Sequence, residues 1–505
     1  AVMSTGFFAP EVRHSVQVRK PVKVWSSGAL GGNVSLSSSL ARVRHSHVVT
    51  VSTAPHRNRQ GGPSPVSIGS RYMDFGYFRP IREARQVVIP PCKNSNRTSL
   101  LKIGLIGKTN AGKTTFFNAA TLLSAPVSTY PFTTKQPNIG QAYVKTICVC
   151  RELGVKDNPK NSTCIDGARF IPIQLIDLPG LIKGSWMGKG LGSQFLSVAS
   201  QADALIHIAD ASGSVDAEGK LTKPGMGNPV ADVYDIEEEL VRWFAKIIEK
   251  TIKKLGKHPK KGSSVDRLLT QDLAGLKITG EHIAKALEAN ALVDKGLGRW
   301  KHEDVWNFAK SLRQFSKPTL IIANKMDLAP ADKNYEKLVK EFGQAFVLPA
   351  SADAELALRR AEQKGYVEYV PGEEAFRVKD REKLTAEQRE ALTYVEQRVF
   401  SKWIQTGVQF ALNTCVFKLM GMNAVYPVED TEKLSDKKGN VLPDVFLVPY
   451  NASVTDLAAQ IHTELAKTMI YAVDARTKIR VPADYKLKDR DIITIVAAAK
   501  GKKVS

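Results

Sequence analysis

Gly107-Lys108-Thr109-Asn110-Ala111-Gly112-Lys113-Thr114, followed by Thr115, is the stretch from which the fold can be read. An apolar strand is expected over Leu101 to Ile106 and a helix over Thr115 to Leu123, so the eight residues form a phosphate-binding loop between strand and helix. The chemistry demands these residue types. Successive backbone N–H groups wrap phosphate oxygens, the two glycines permit close approach, Lys113 reaches the outer phosphates and Thr114 offers a hydroxyl to Mg²⁺. Gly107 to Thr115 are therefore candidate nucleotide-binding residues. The fold class is α/β, a doubly wound, mostly parallel sheet.

The base is chosen far downstream, where a strand expected over Pro318 to Ala323 runs into Asn324-Lys325-Met326-Asp327. The Asp327 carboxylate can accept from both N1–H and the exocyclic amine of guanine, and adenine has no matching donor pair. Lys325 is expected to lie over the purine plane and Asn324 to brace the phosphate loop. After the next strand (Ala345 to Leu348), Ala350-Ser351-Ala352 suits a loop whose N–H meets guanine O6, which adds Ser351 and Ala352 to the candidates.

Between these signatures a strand over Phe170 to Ile176 ends in Asp177-Leu178-Pro179-Gly180-Leu181. Asp177 is expected to hold Mg²⁺ through water, Pro179 to line the site and Gly180 to donate its N–H to the γ-phosphate. Upstream, Tyr130-Pro131-Phe132-Thr133-Thr134 sits where a first switch segment belongs, with Thr134 expected as a Mg²⁺ ligand and Thr133 as the alternative. Catalytic roles fall to Lys113, Thr134 and Gly180. Leu181 stands where many signalling GTPases carry a water-positioning glutamine, so intrinsic hydrolysis is expected to be slow. Asn110 is a candidate K⁺ ligand, as in related GTPases with Asn at that place, although Asn also suits the loop conformation by itself.

Tyr130 to Thr134 with Pro137-Asn138-Ile139-Gly140, then Asp177 to Leu181 and Gly188-Lys189-Gly190-Leu191-Gly192, resemble the Obg-type GTPases. Within that superfamily, His207 to Glu218 and the cysteine-bearing segment 148–166 are similar to archaeal members of the YchF/Obg-like branch, over about residues 101–498. The resemblance implies GTP and GDP with Mg²⁺ as ligands, and action on ribosomes or rRNA as a monomer. Many YchF relatives lose the guanine-reading tetrad and prefer ATP. Retention of Asn324, Lys325 and Asp327 favours GTP here. An ATPase of that type and an RNA-binding adaptor with nucleotide as a structural ligand are the rival readings.

Two further domains are expected. Residues 233–316 leave the strand–helix alternation for heptad-like apolar spacing with a basic run at Lys253 to Lys261, a helical insertion whose cationic hairpin is either a solvated face or an RNA contact. Residues 413–500 alternate short apolar runs (Val416 to Leu419, Val445 to Val448, Ile492 to Val496) with one helical stretch at Val454 to Lys467, and resemble a β-grasp TGS domain. The nucleotide domain then comprises 99–232 and 317–412, with a long helix over Leu384 to Leu412 leading to the last module.

The 505 residues carry a net charge of +22, which fits a polyanionic partner such as rRNA. Half of that excess lies in residues 1–98, where fourteen Lys or Arg face only Glu11, Asp74 and Glu83. This Ser-, Gly- and Arg-rich arm is expected to be disordered. It reads as an organellar transit peptide, an RNA-binding arm, or the product of an upstream start with Met73 nearer the true one. The archaeal look of the core favours the cytoplasm over an organelle. No run of 18 apolar residues occurs, so no membrane span is expected. Five cysteines make no disulfide scaffold and imply a reducing compartment. Cys148, Cys150 and Cys164, with Asp157 between them, carry zinc-ligand chemistry, but the spacing lacks two Cys-x-x-Cys knuckles and buried structural thiols are expected instead. His207 is read as a core histidine within a strand.

Overall fold

The computed structural model describes residues 100–123, 125, 137–180, 198–257 and 264–498. The expectations for the N-terminal arm, Thr133, Thr134, Leu181, residues 188–192 and the end of the basic run (258–261) lie outside the described residues.

A seven-stranded sheet forms the centre: β1 (Lys102–Ile106), β2 (Asn138–Ile147), β3 (Thr163–Ile165), β4 (Ala168–Asp177), β5 (Ala204–Asp210), β6 (Thr319–Asn324) and β7 (Val347–Pro349). Its order is β2-β4-β1-β5-β6-β7, with β3 paired to β4. The pairs β4-β1, β1-β5, β5-β6 and β6-β7 are parallel, whereas β2 and β3 run antiparallel to β4. Parallel strands are covered on both faces, which is why β5 and β6 are buried at every position and mostly apolar, His207 excepted in the middle of β5. His207 sits in β5, and burial, with Arg313 and Lys113 nearby, lowers its pKa to about 3, so the imidazole is neutral. The strands of the parallel set end together, and their carboxyl ends bring Ile106, Asp177, Asp210 and Asn324 to one edge.

The helices are α1 (Lys113–Thr121), α2 (Val149–Leu153), α3 (Pro229–Lys257), α4 (Val265–Leu273), α5 (Gly280–Ala289), α6 (His302–Ser316), α7 (Ala331–Phe342), α8 (Ala352–Gln363), α9 (Ala386–Val395), α10 (Val408–Asn413), α11 (Val454–Ile461) and α12 (Thr463–Thr468). Helices α3 to α6 lie between β5 and β6, where the insertion is expected over 233–316; α3 itself starts at Pro229, and its first turns pack Ile236 and Leu240 against Ile106, Ile176 and Leu205 of the sheet. The four helices bury their own core of Phe244, Ile248, Leu269, Ile283, Phe308 and Leu312. Lys317, at the return to β6, fastens this unit to the sheet: its ammonium donates to the carbonyls of Ser200 (2.6 Å), Ala202 (2.8 Å) and Leu276 (2.9 Å). Of the basic run, Lys254 pairs with Asp272 at 3.0 Å.

The helix expected over Leu384 to Leu412 is broken. After α9, a π-helical turn (Glu396–Phe400) and Ser401–Trp403, the chain turns through Ile404 (φ 68°) and Gly407 (φ 86°) before α10. A Cβ on Gly407 would lie 2.1 Å from the Pro349 carbonyl oxygen, so only glycine lets the turn press against the end of β7. That press lets Thr406 accept from the Ser351 N–H at 2.8 Å. The run Val416 to Leu419 is likewise a π-helical turn (Thr414–Leu419), not a strand. Val408, Ala411, Leu412, Cys415 and Val416 are all buried at helical spacing, and that periodicity outweighs the β-branched character of one short segment.

The C-terminal module is a five-stranded sheet of order β11-β10-β14-β12-β13, built from β10 (Met422–Pro427), β11 (Phe446–Pro449), β12 (Met469–Asp474), β13 (Arg480–Val481) and β14 (Ile492–Ala497). The helical stretch expected over Val454 to Lys467 divides at His462 into α11 and α12. A short hairpin, β8 (Val367–Glu368) with β9 (Arg377–Val378), precedes α9.

Candidate nucleotide site

The loop between β1 and α1 carries Gly107 to Gly112, and Lys113, Thr114 and Thr115 open α1. Gly112 has φ 99°, and a Cβ there would lie 2.2 Å from the Asn324 amide nitrogen. The loop must approach β6 this closely because Asn324 holds both sides. Its amide donates to the Ala111 carbonyl at 3.0 Å and its oxygen accepts from the Ala352 N–H at 3.1 Å. One side chain thus joins the phosphate loop, the end of β6 and the start of α8.

Lys113 is buried, and its ammonium donates to the Lys108 carbonyl at 2.7 Å. Burial lowers its pKa to about 8, partly opposed by the negative charge of Asp177. Asp177 ends β4 fully buried and accepts from the Thr114 hydroxyl at 2.8 Å and the Asn138 amide at 3.1 Å. Burial raises its pKa, and Lys113 and the two donors oppose the rise. The antiparallel register pairs Asn138 with Asp177 across β2 and β4, which brings the Asn138 amide to the Asp177 carboxylate. Asp177 Oδ1 and Thr109 Oγ1 are buried without hydrogen-bond partners. A hard cation beside Thr114 and Asp177, with phosphate oxygens within reach of the loop, fits this donor set. Pro179 and Gly180 follow at the end of β4, where Gly180 lies against Thr109.

Asn110 is held at φ 62° and its amide donates to the Gly219 carbonyl at 3.0 Å. Lys108 forms a buried ion pair with Asp232 of α3 at 2.5 Å. Neither partner, 109 and 124 residues away respectively, is marked by any sequence pattern.

Just beyond β6, Lys325 takes φ 65° and donates to Asp210 at 3.0 Å and to the Ser214 hydroxyl at 3.0 Å. Asp210 also accepts from the N–H groups of Ser212 and Ser214, so the lysine is steered by a network that the sequence reading missed. Asp327 has its backbone carbonyl bonded by the Tyr394 hydroxyl at 3.1 Å. A cavity of about 300 Å³ opens beside Asp327, lined by Asp353, Arg360, Leu384, Leu392 and Tyr394 among others. Burial, then the charge of Asp327, raises the pKa of Asp353. Ser351 is buried at the turn into α8, and Ala352 is the residue whose N–H meets Asn324. Direct bonds thus join Lys108 with Ala111 and Lys113, Thr114 with Asp177, and Asn324 with Ala111 and Ala352.

Residues 102–252 match the family model for 50S ribosome-binding GTPases, 322–430 that for the Obg-like GTPase YGR210-like, G4 motif-containing domain, and 437–497 that for the TGS domain. The chain is 46% identical over 398 residues to an uncharacterized GTP-binding protein of Methanocaldococcus jannaschii, covering 79% of this chain and 99% of that protein. A Schizosaccharomyces pombe GTP-binding protein is 31% identical over 356 residues, 68% of this chain and 86% of its own length. A GTP-binding protein from Pyrococcus horikoshii OT3, known from its crystal structure, superposes with a TM-score of 0.64 at 34% identity, covering 79% of this chain and all of that one. The ribosome-binding ATPase YchF of Bacillus subtilis is 28% identical over 278 residues, 52% of this chain and 69% of that protein. Among the described residues no helix is long and apolar enough to cross a membrane.

Proposed function

We propose, given that the chain belongs to the YchF/Obg-like branch of the Obg-type GTPases, that it hydrolyses GTP and uses its two nucleotide states as a switch on ribosomes. The observation that carries this reading is the double hydrogen bond of Asn324, which locks phosphate loop and base-reading residues into one frame. Asp327 is the proposed carboxylate acceptor for the N1–H and exocyclic amine of guanine.

Lys113 holds positive charge against the outer phosphates, and the backbone N–H groups of Gly107 to Gly112 orient them. Thr114 and Asp177 are the proposed Mg²⁺ holders, joined by Thr134. When bound, Mg²⁺ neutralises charge on the phosphate oxygens. The Gly180 N–H reports the γ-phosphate, and Asn110 is the proposed K⁺ ligand. Thr115, Pro179, Ser351 and Ala352 complete the contact surface, with Lys325 over the purine. Hydrolysis is slow because no glutamine follows Gly180. The name of the Bacillus relative and the net charge of +22 support a ribosomal partner, and the cytoplasm is the proposed location.

The test is co-sedimentation with ribosomes in GDP and in a non-hydrolysable GTP analogue. The two states are expected to partition differently, and Lys113→Ala, unable to bind nucleotide, is expected to behave alike in both. Equal sedimentation of the unaltered protein in the two nucleotides would overturn the switch.

A further inference from the structure

We infer that Cys148, Cys150, Asp157 and Cys164 form a structural zinc site. Their ligand atoms all lie within 4.8 Å of one another. The Cys150 and Cys164 sulfurs are 3.7 Å apart and the Cys148 sulfur is 3.3 Å from the Asp157 carboxylate. A tetrahedron with Zn–S bonds of about 2.3 Å has edges of about 3.7 Å between sulfurs, slightly less to oxygen. Both spacings match those edges. Three thiolates and a carboxylate make a closed donor set with no position left for water, which is the pattern of a structural site rather than a catalytic one.

The surroundings fit the charge. Four anionic ligands leave two negative charges after a dication, and Arg169, fully buried, brings its guanidinium to 3.2 Å from Asp157. Outer groups of this kind orient metal ligands and offset their charge. Arg169 is itself fixed by the Ser162 hydroxyl (2.9 Å) and the Leu442 carbonyl (3.0 Å). The ligands come from three places: Cys148 caps and Cys150 lies in α2, Asp157 lies in the following irregular stretch, and Cys164 lies in β3. No Cys-x-x-Cys knuckle is present, which is why the spacing in sequence, although it groups these four residues, points to structural thiols rather than to a metal.

The site has a mechanical consequence. Residues 155–162 contain no helix or strand, yet they hold the C-terminal module to the nucleotide domain. The Asn158 and Lys160 N–H groups donate to Val441 (2.8 Å) and Pro443 (2.7 Å), and Asn161 exchanges two bonds with Val445. Zinc orders this stretch, so the metal acts as the staple of the interface.

Elemental analysis of the full chain, purified under reducing conditions without chelator, is expected to find about one zinc per chain. Cobalt exchanged for zinc is expected to show thiolate-to-cobalt charge transfer with tetrahedral visible bands, a reading on the unaltered protein that needs no variant to fold. Cys164→Ser is expected to lose the metal and melt several degrees lower, while still binding GTP. Folded protein without stoichiometric metal, whether its thiols are free or Cys150 and Cys164 are joined as a disulfide, would overturn the site.

Discussion

Lys113 faces two opposed demands, because the burial that prepares it to meet phosphate also disfavours its charge. Its pKa falls from the ordinary 10.5 to about 8. Phosphate needs the ammonium, so GTP affinity is expected to weaken as pH rises through about 8, approaching tenfold per unit above it. Stability of the free protein moves the other way. Between about 8 and 10.5 the unfolded chain holds the proton more tightly than the folded one, so this residue's contribution rises with pH there. Calorimetry in buffers of different ionisation enthalpy near pH 8 is expected to register proton uptake on GTP binding, and none would mean that Lys113 does not meet phosphate. At the other end of the site, Asp327→Asn is expected to exchange preference for guanine nucleotides for preference for xanthine nucleotides. The corresponding measurement is competition by GTP, ATP and XTP, and undiminished ATP binding with no xanthine response would favour the ATPase reading. These residues were legible because local spacing defines them. Asp210, Ser214 and Tyr394 were not, since they act on Lys325 and Asp327 from 67 to 115 residues away.

Helix α3 shows the same limit for elements. Its amphipathic spacing announces a helical insertion, but nothing in the spacing tells that its first turn docks on the phosphate loop. Asp232 does so through Lys108, both side chains being less than 10% exposed. Burial raises the Asp232 pKa, and the Lys108 ammonium opposes the rise. Removing one partner of a buried pair strands the other's charge, so Asp232→Ala is expected to cost about 3–5 kcal/mol. It is also expected to weaken GTP binding, because Lys108 lends its carbonyl to Lys113. Denaturant unfolding with and without GTP measures both, and a loss under about 1 kcal/mol would show that the insertion is not anchored through this pair. The break between α9 and α10 was misread for a related reason. The apolar period continues across it, and only the packing of Gly407 on Pro349 requires the turn.

For the molecule as a whole, the nucleotide domain and the C-terminal module share one apolar core. Tyr426, Leu442 and Ile492 pack in the same cluster as Ile171, Ile173 and Leu175 of β4. Both domains were legible in the sequence, but this shared core was not, because it depends on which face of each sheet meets the other. Besides the bonds made by residues 158–161, charged side chains of two kinds cross the boundary. Glu152 pairs with Arg476 at 3.0 Å and with Arg490, all about one-third exposed. Arg169 crosses it fully buried. Exposed pairs gain little because water screens them and long side chains lose freedom, so Glu152→Ala is expected to cost under about 1 kcal/mol. Arg169→Ala takes the buried cation away from Asp157 and the donor away from the Leu442 carbonyl, and is expected to cost about 3 kcal/mol or more. Thermal unfolding of the two variants ranks them. If Glu152 proved the costlier loss, the modules would be held by surface charge, and raising salt would then separate them; if Arg169 does, salt is expected to have little effect, and the C-terminal sheet moves with β4 as one body.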